Sequence, residues 1–219
     1  MLERVAHPSA LADSWKRVLA NDAEDEVLSA GVRRFARDAE ARLDELRGRL
    51  LDGGYAPARL MRVSIPKEDG EQRVLHIPPV VDRVVEGAVL GVLTPLLDPL
   101  LGPSSFAYRP GLGVVDAVQE VARLRDEGFT HVLRTDINDC FPSIRVDRLW
   151  RILGVLVTDP ELMAVLDQLL ARTLHGPGRR RNRPGIGLPQ GSPLSPILAN
   201  VVLEHLDERL RRAGYPIVR

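Results

Sequence analysis

The chain has one cysteine in 219 residues, Cys140, so no internal disulfide can form and a reducing cytosol is the expected compartment. Lysine is nearly missing: Lys16 and Lys67 are the two present, and guanidinium supplies the rest of the positive charge. A high-GC coding bias accounts for that blandly, and it leaves Lys67 conspicuous. Net charge is also missing, at +0, which excludes a protein that coats nucleic acid by bulk charge. Any such surface has to come from local clustering. The five histidines, His7, His76, His131, His175 and His205, show no pair at the spacing of a helical metal site. No charged-then-apolar leader opens the sequence, so secretion is not expected. No long apolar run exists either: residues 80–101 come nearest, but Asp82, Arg83, Glu86 and Asp98 interrupt them. That pattern predicts a buried helix and no membrane span.

What is present is enough for a real core, with 44% hydrophobic residues in one large or two small domains. Periodicity predicts a short helix at 10–20, then a polar loop. It predicts an amphipathic helix over 32–51 with Phe35, Ala39, Leu43, Leu46 and Leu50 on one face. Two short strands over 62–77 flank a turn at Glu68-Asp69-Gly70. Pro78 and Pro79 open a helix, and Pro95, Pro99 and Pro103 are expected to break its C-terminal continuation into loops. Further helices are expected at 114–127, 160–174 (capped by Asp159) and 195–213, with a strand at 131–135 and the start of another at 216–219. Helices alternating with short strands, without regular βαβ spacing, indicate α+β.

A few constellations carry chemistry. Residues 187–200 read Gly-Leu-Pro-Gln-Gly-Ser-Pro-Leu-Ser-Pro-Ile-Leu-Ala-Asn. Gly187, Pro189 and Gly191 fix a tight turn, Ser195 is a candidate cap, and Pro196 suits the first helical position. Gln190 is then held at the mouth of a helix, where it can touch a ligand. Asp136 stands at the end of the expected strand, and a carboxylate held there is a good hard ligand for Mg²⁺. A turn-capping Asp136 or Asp139 is the plainer reading of that segment alone. Lys67 and Arg73 flank the hairpin turn, so both can reach one triphosphate, lysine as a point charge and arginine as a fork. Spacing alone favours two solvated surface cations. Arg179, Arg180, Arg181 and Arg183 form the densest cationic run, which attracts phosphate, although a solvated loop is the commoner fate. Arg109 fits a nucleic-acid contact and a structural ion pair equally well.

The 187–200 run resembles the motif that reverse transcriptases of the prokaryotic group II intron class carry just before their catalytic hairpin. That class includes CRISPR-associated and defence-linked members. Segments 64–78, 82–85, 105–111 and 133–144 resemble further motifs of the same family in the same order, so the resemblance spans roughly residues 10–219. It implies the fingers and part of the palm of a right-hand polymerase: an N-terminal extension at 1–30, a fingers-like region at 31–128 and a partial palm at 129–219. The implied reaction is RNA-directed addition of deoxynucleotides to a DNA primer with two Mg²⁺ ions. By resemblance, Asp136 binds both ions and the Ile137 carbonyl adds a ligand. Lys67 and Arg73 hold the triphosphate, Phe141 excludes a 2′-hydroxyl, and Gln190 lines the nucleotide pocket. The arginine run contacts template or primer. Implied partners are RNA template, DNA primer, dNTP, and a further polymerase segment, thumb domain or Cas1-type protein. Two departures stand out: Ala107 replaces a usual glycine, and the Asp-Cys-Phe-Pro-Ser wording differs from the intron form. The family's aromatic-x-Asp-Asp hairpin has no counterpart, since no Asp-Asp pair occurs in the sequence. The expected consequence is an isolated chain that does not polymerise, as a truncated product, a nucleic-acid binder, or one part of a split enzyme.

Overall fold

The computed structural model describes residues 1–23, 28–66, 70, 72–172 and 186–219, without the side chain of Arg73. The described part is α+β. Its helices are α1 (Leu2–Val5), α2 (Pro8–Ala23), α3 (Ala30–Arg37), α4 (Ala39–Leu51), α5 (Val80–Leu97), α6 (Val114–Asp126), α7 (Cys140–Ser143), α8 (Val146–Leu156), α9 (Pro160–Ala171) and α10 (Ser195–Arg212). An antiparallel hairpin pairs β1 (Met61–Pro66) with β2 (Gln72–Ile77), in a register that places Ile65 opposite Arg73.

The axis of the fold is α5. Its apolar stretch buries Val84, Val85, Ala88, Val89, Val92, Leu93 and Leu97, and α1, α2, α3 and α10 pack around it. Burial of this kind is the main favourable term in folding. The helix runs through Pro95 to Leu97 instead of breaking there. The missing N–H costs one backbone bond, and packing against the surrounding helices outweighs that. The N-terminal segment is part of this core. Ser14 Oγ donates to the Val84 carbonyl at 2.7 Å, Arg17 to the Gly87 carbonyl at 3.3 Å, and Trp15 packs on Phe35 with ring centroids 4.6 Å apart.

Several expected elements differ. The expected helix over 32–51 is two helices, broken at Asp38, whose φ of −131° leaves the helical region. The break lets both Phe35 and Leu46 reach the core. The short helix expected at 10–20 extends from Pro8 to Ala23. No strand forms at 131–135: the segment is irregular and solvent-exposed. A strand needs a lateral partner for its backbone groups, and the one sheet among the described residues is the β1–β2 hairpin. Residues 216–219 are not assigned as a strand, although Arg219 makes 2.7 Å backbone bonds with Ser104 and Phe106. Helices α7 and α8 were not expected from periodicity. As expected, Asp159 caps α9, accepting from the amides of Glu161 and Leu162. No helix among the described residues is long and apolar enough to cross a membrane.

Candidate nucleotide site

The Gln190 turn begins where the chain re-enters beside α7. Gly187 N–H donates to the Ile144 carbonyl at 2.7 Å and Leu188 N–H to the Phe141 carbonyl at 2.8 Å. Gly187 and Gly191 both have φ near +100° (100° and 109°), the left-handed region that favours glycine. At Gly191 a Cβ would also sit 3.2 Å from the His76 carbonyl. Several bonds close the turn. His76 N–H of β2 donates to the Gln190 carbonyl at 2.9 Å, Ser195 Oγ donates to the Pro189 carbonyl at 2.7 Å, and Ser192 Oγ accepts from Leu194 N–H at 3.2 Å. Ser195 is therefore not the cap: Leu194 takes the cap position, and Ser195 is the first helical residue with Pro196 second.

Gln190 and Phe141 line one open cavity of about 380 Å³, with Asn21, Leu75, Arg83 and Tyr108 also on its wall. The structure thus joins two residues that lie far apart in sequence. Phe141 is half-buried and packs on the core as well. Asn21 places α2 at the site, so the segment 1–30 contributes a wall.

Beneath the turn is a buried polar network that sequence reading did not find. Arg172, at the end of α9, donates from Nη1 to Asp82 at 2.7 Å and to the Ala58 carbonyl at 3.0 Å, and from Nη2 to Glu86 at 2.5 Å. Tyr55 Oη donates to Asp82 at 2.8 Å and Ser192 Oγ donates to Glu86 at 2.6 Å. Asp82 and Glu86 are 2% and 1% exposed. Burial pushes the Glu86 carboxyl up to about 7, against the pull of Ser192 and Arg172. It raises Asp82 too, against Tyr55 and Arg172, and raises the Tyr55 phenol, which the Asp82 charge pushes further. The available signal was two acids four residues apart in an otherwise apolar run.

Asp136 lies on the exposed irregular segment, close enough to Cys140 for its charge to be felt there. Burial raises the Cys140 thiol, the Arg219 cation pulls it down, and Asp136 pushes it up. Ile137 and Cys140 line a second groove with Arg145 and Arg148. Among the described residues no three His, Cys, Asp or Glu side chains come together to hold a metal ion. Asp136 and the Ile137 carbonyl supply at most three oxygens where Mg²⁺ takes six in near-octahedral coordination, so the described residues do not by themselves complete a magnesium site. Arg109 is committed internally. It bonds Asp98 at 2.8 and 3.2 Å and the carbonyls of Gly102 and Ser105 at 3.0 Å each. Of its two readings, the structural ion pair is the one formed. Lys67, Arg179, Arg180, Arg181 and Arg183 lie outside the described residues. Arg73 is placed by its backbone in β2.

The fold matches that of solved reverse-transcriptase chains. A partial Cas6-RT-Cas1–Cas2 complex superposes with a TM-score of 0.60 at 26% identity, over 96% of this chain and 35% of that one. The chain belongs to the reverse transcriptase (RNA-dependent DNA polymerase) family, whose model matches residues 65–218. Protein YkfC of Escherichia coli K12 is 29% identical over 96% of this chain and 56% of its own length. The group II intron-encoded protein LtrA of Lactococcus lactis subsp. cremoris is 26% identical, over 78% of this chain and 28% of its own. The retron Mx65 reverse transcriptase of Myxococcus xanthus is 30% identical, over 71% and 37%. The chain therefore spans about half of YkfC and a smaller share of the others.

Proposed function

We propose that this chain supplies the nucleotide-facing part of an RNA-directed DNA polymerase and binds an RNA template paired with a DNA primer. The observation that carries this is the shared cavity of Gln190 and Phe141, tied by the His76–Gln190 bond to the strand β2 that carries Arg73. Gln190 lines the pocket of the incoming dNTP, Lys67 and Arg73 clamp its phosphates, and Phe141 stands under its sugar to exclude a 2′-hydroxyl. The arginine run Arg179–Arg183 follows the nucleic-acid backbone. Asp136 and the Ile137 carbonyl would hold part of a Mg²⁺ site that the described residues do not complete. A Mg²⁺ ion held there would supply charge neutralisation for phosphoryl transfer. The division into an extension at 1–30, fingers at 31–128 and partial palm at 129–219 belongs to the same proposal, as does a cytoplasmic location with a further polymerase segment, thumb or Cas1-type protein as partner. The relatives found in Cas6-RT-Cas1–Cas2 assemblies support that last choice.

The test uses the purified 219-residue chain and a labelled RNA–DNA duplex. Binding should fall with salt, and changing the four arginines of the run to alanine should flatten the slope by up to ~0.9 per lost contact. Primer extension on the same duplex should be at background, since among the described residues no three metal-ligating side chains come together. Failure to bind the duplex would refute the reading as a polymerase core, and robust extension would refute the expectation that this chain alone does not polymerise.

A further inference from the structure

We propose that Glu86 and Arg172 are positioning residues that hold the Gln190 turn in its ligand-ready shape through Ser192. The proposal rests on the reading of Gln190 as a ligand contact for its purpose, and on the geometry alone for its content.

Ser192 is 7% exposed and sits two residues after Gln190. Its hydroxyl donates to Glu86 at 2.6 Å and accepts from Leu194 N–H at 3.2 Å, so one oxygen ties the turn to α5 and to the start of α10. Glu86 is held in turn by the Arg172 fork, whose other nitrogen bonds Asp82 and the Ala58 carbonyl. Three elements meet at that guanidinium: α5, the end of α9 and the segment entering β1. The other anchors of the turn, His76 N–H on the Gln190 carbonyl and Ser195 on the Pro189 carbonyl, lie on either side.

Stability alone does not require this arrangement. Two carboxylates four apart on one helix face repel. A buried ion pair often gains nothing over well-packed apolar side chains of the same volume. What an apolar replacement lacks is direction. A carboxylate accepts from one hydroxyl along one line, while a leucine at 86 would fill the space and leave Ser192 free to rotate.

Amide hydrogen exchange on the free chain, without nucleic acid, tests this. Because no ligand is involved, a failure of the polymerase reading would leave the outcome intact. Glu86→Leu should make the amides of His76, Ser192 and Leu194 exchange about tenfold faster or more, the scale of losing one charge-assisted hydrogen bond. The reference amide of Val157, bonded to the Leu153 carbonyl in α8, should stay unchanged. Ser192→Ala should give the same local acceleration, and the double variant should add nothing. Glu86→Gln should restore most of the protection, because its amide oxygen still accepts from Ser192. Uniform acceleration that includes Val157, or no acceleration at the turn in Ser192→Ala and Glu86→Leu, would overturn the proposal. Should Glu86→Leu fail to fold, Ser192→Ala against Glu86→Gln decides by the same readout.

Discussion

The two flanks of the candidate site are built in opposite ways. The Gln190 turn is fixed from below by the Arg172–Glu86–Ser192 network, from one side by β2 and from the other by α10. The Asp136 segment has no such support among the described residues. Val132 and Leu133 are 81% and 90% exposed, and the apolar face of the preceding α6 is open as well, with Val114 at 81%. The Gln190 half of the candidate site thus draws on contacts within the described residues, whereas the Asp136 half has little packing around it there. A side chain becomes a rigid part of a site only when its neighbours restrict it.

The sharpest way to break the contrast is at Arg172. Arg172→Met leaves Asp82 and Glu86 buried with no cation, and we expect a loss of about 3–5 kcal/mol by chemical denaturation. A loss under about 1 kcal/mol, the range of an exposed pair, would mean that the network is wet and that the turn is as loosely held as the carboxylate segment. A paired comparison comes next. Leu198, at 0% exposure on α10, should cost about 2–5 kcal/mol when cut to alanine. Leu133→Ser should fall within about 0.5 kcal/mol of zero. Equal costs at the two positions would erase the distinction drawn between the flanks.

The smallest effect is on pH. The folded Glu86 carboxyl is pushed up to about 7 from its ordinary 4.5, chiefly by burial. The folded state therefore holds this proton more tightly than the unfolded one. The stabilisation is complete below about 4.5 and is lost as pH rises through 7. Asp82, Arg172, Tyr55 and the Ser192 hydroxyl face this group in the network, and Arg17 bonds the adjacent Gly87 carbonyl. Tm should decline between those pH values, and Glu86→Gln should flatten that decline. A Tm that is flat or rising there in the parent chain would show that Arg172 keeps Glu86 ionised throughout.

Sequence alone determined the local parts. The apolar run of α5, the Asp159 cap, the hairpin and the Gly187–Gly191 turn follow from short-range rules, because periodicity, capping chemistry and positive φ are properties of a few neighbouring residues. The family followed from motif wording. The tertiary structure decided what depends on distant partners. It broke the 32–51 helix at Asp38 so that both halves reach the core, and it carried α5 through Pro95. It left 131–135 without a strand, because a strand exists through its neighbour and none is beside it among the described residues. It gave Arg109 to Asp98, and it brought Phe141 and Gln190 to one cavity across 49 positions of sequence. It also turned Asp82 and Glu86, which in the sequence only interrupt an apolar run, into the support of the turn. Burying a carboxylate demands a cation and donors within hydrogen-bond reach, and Arg172 and Ser192 arrive there through the fold.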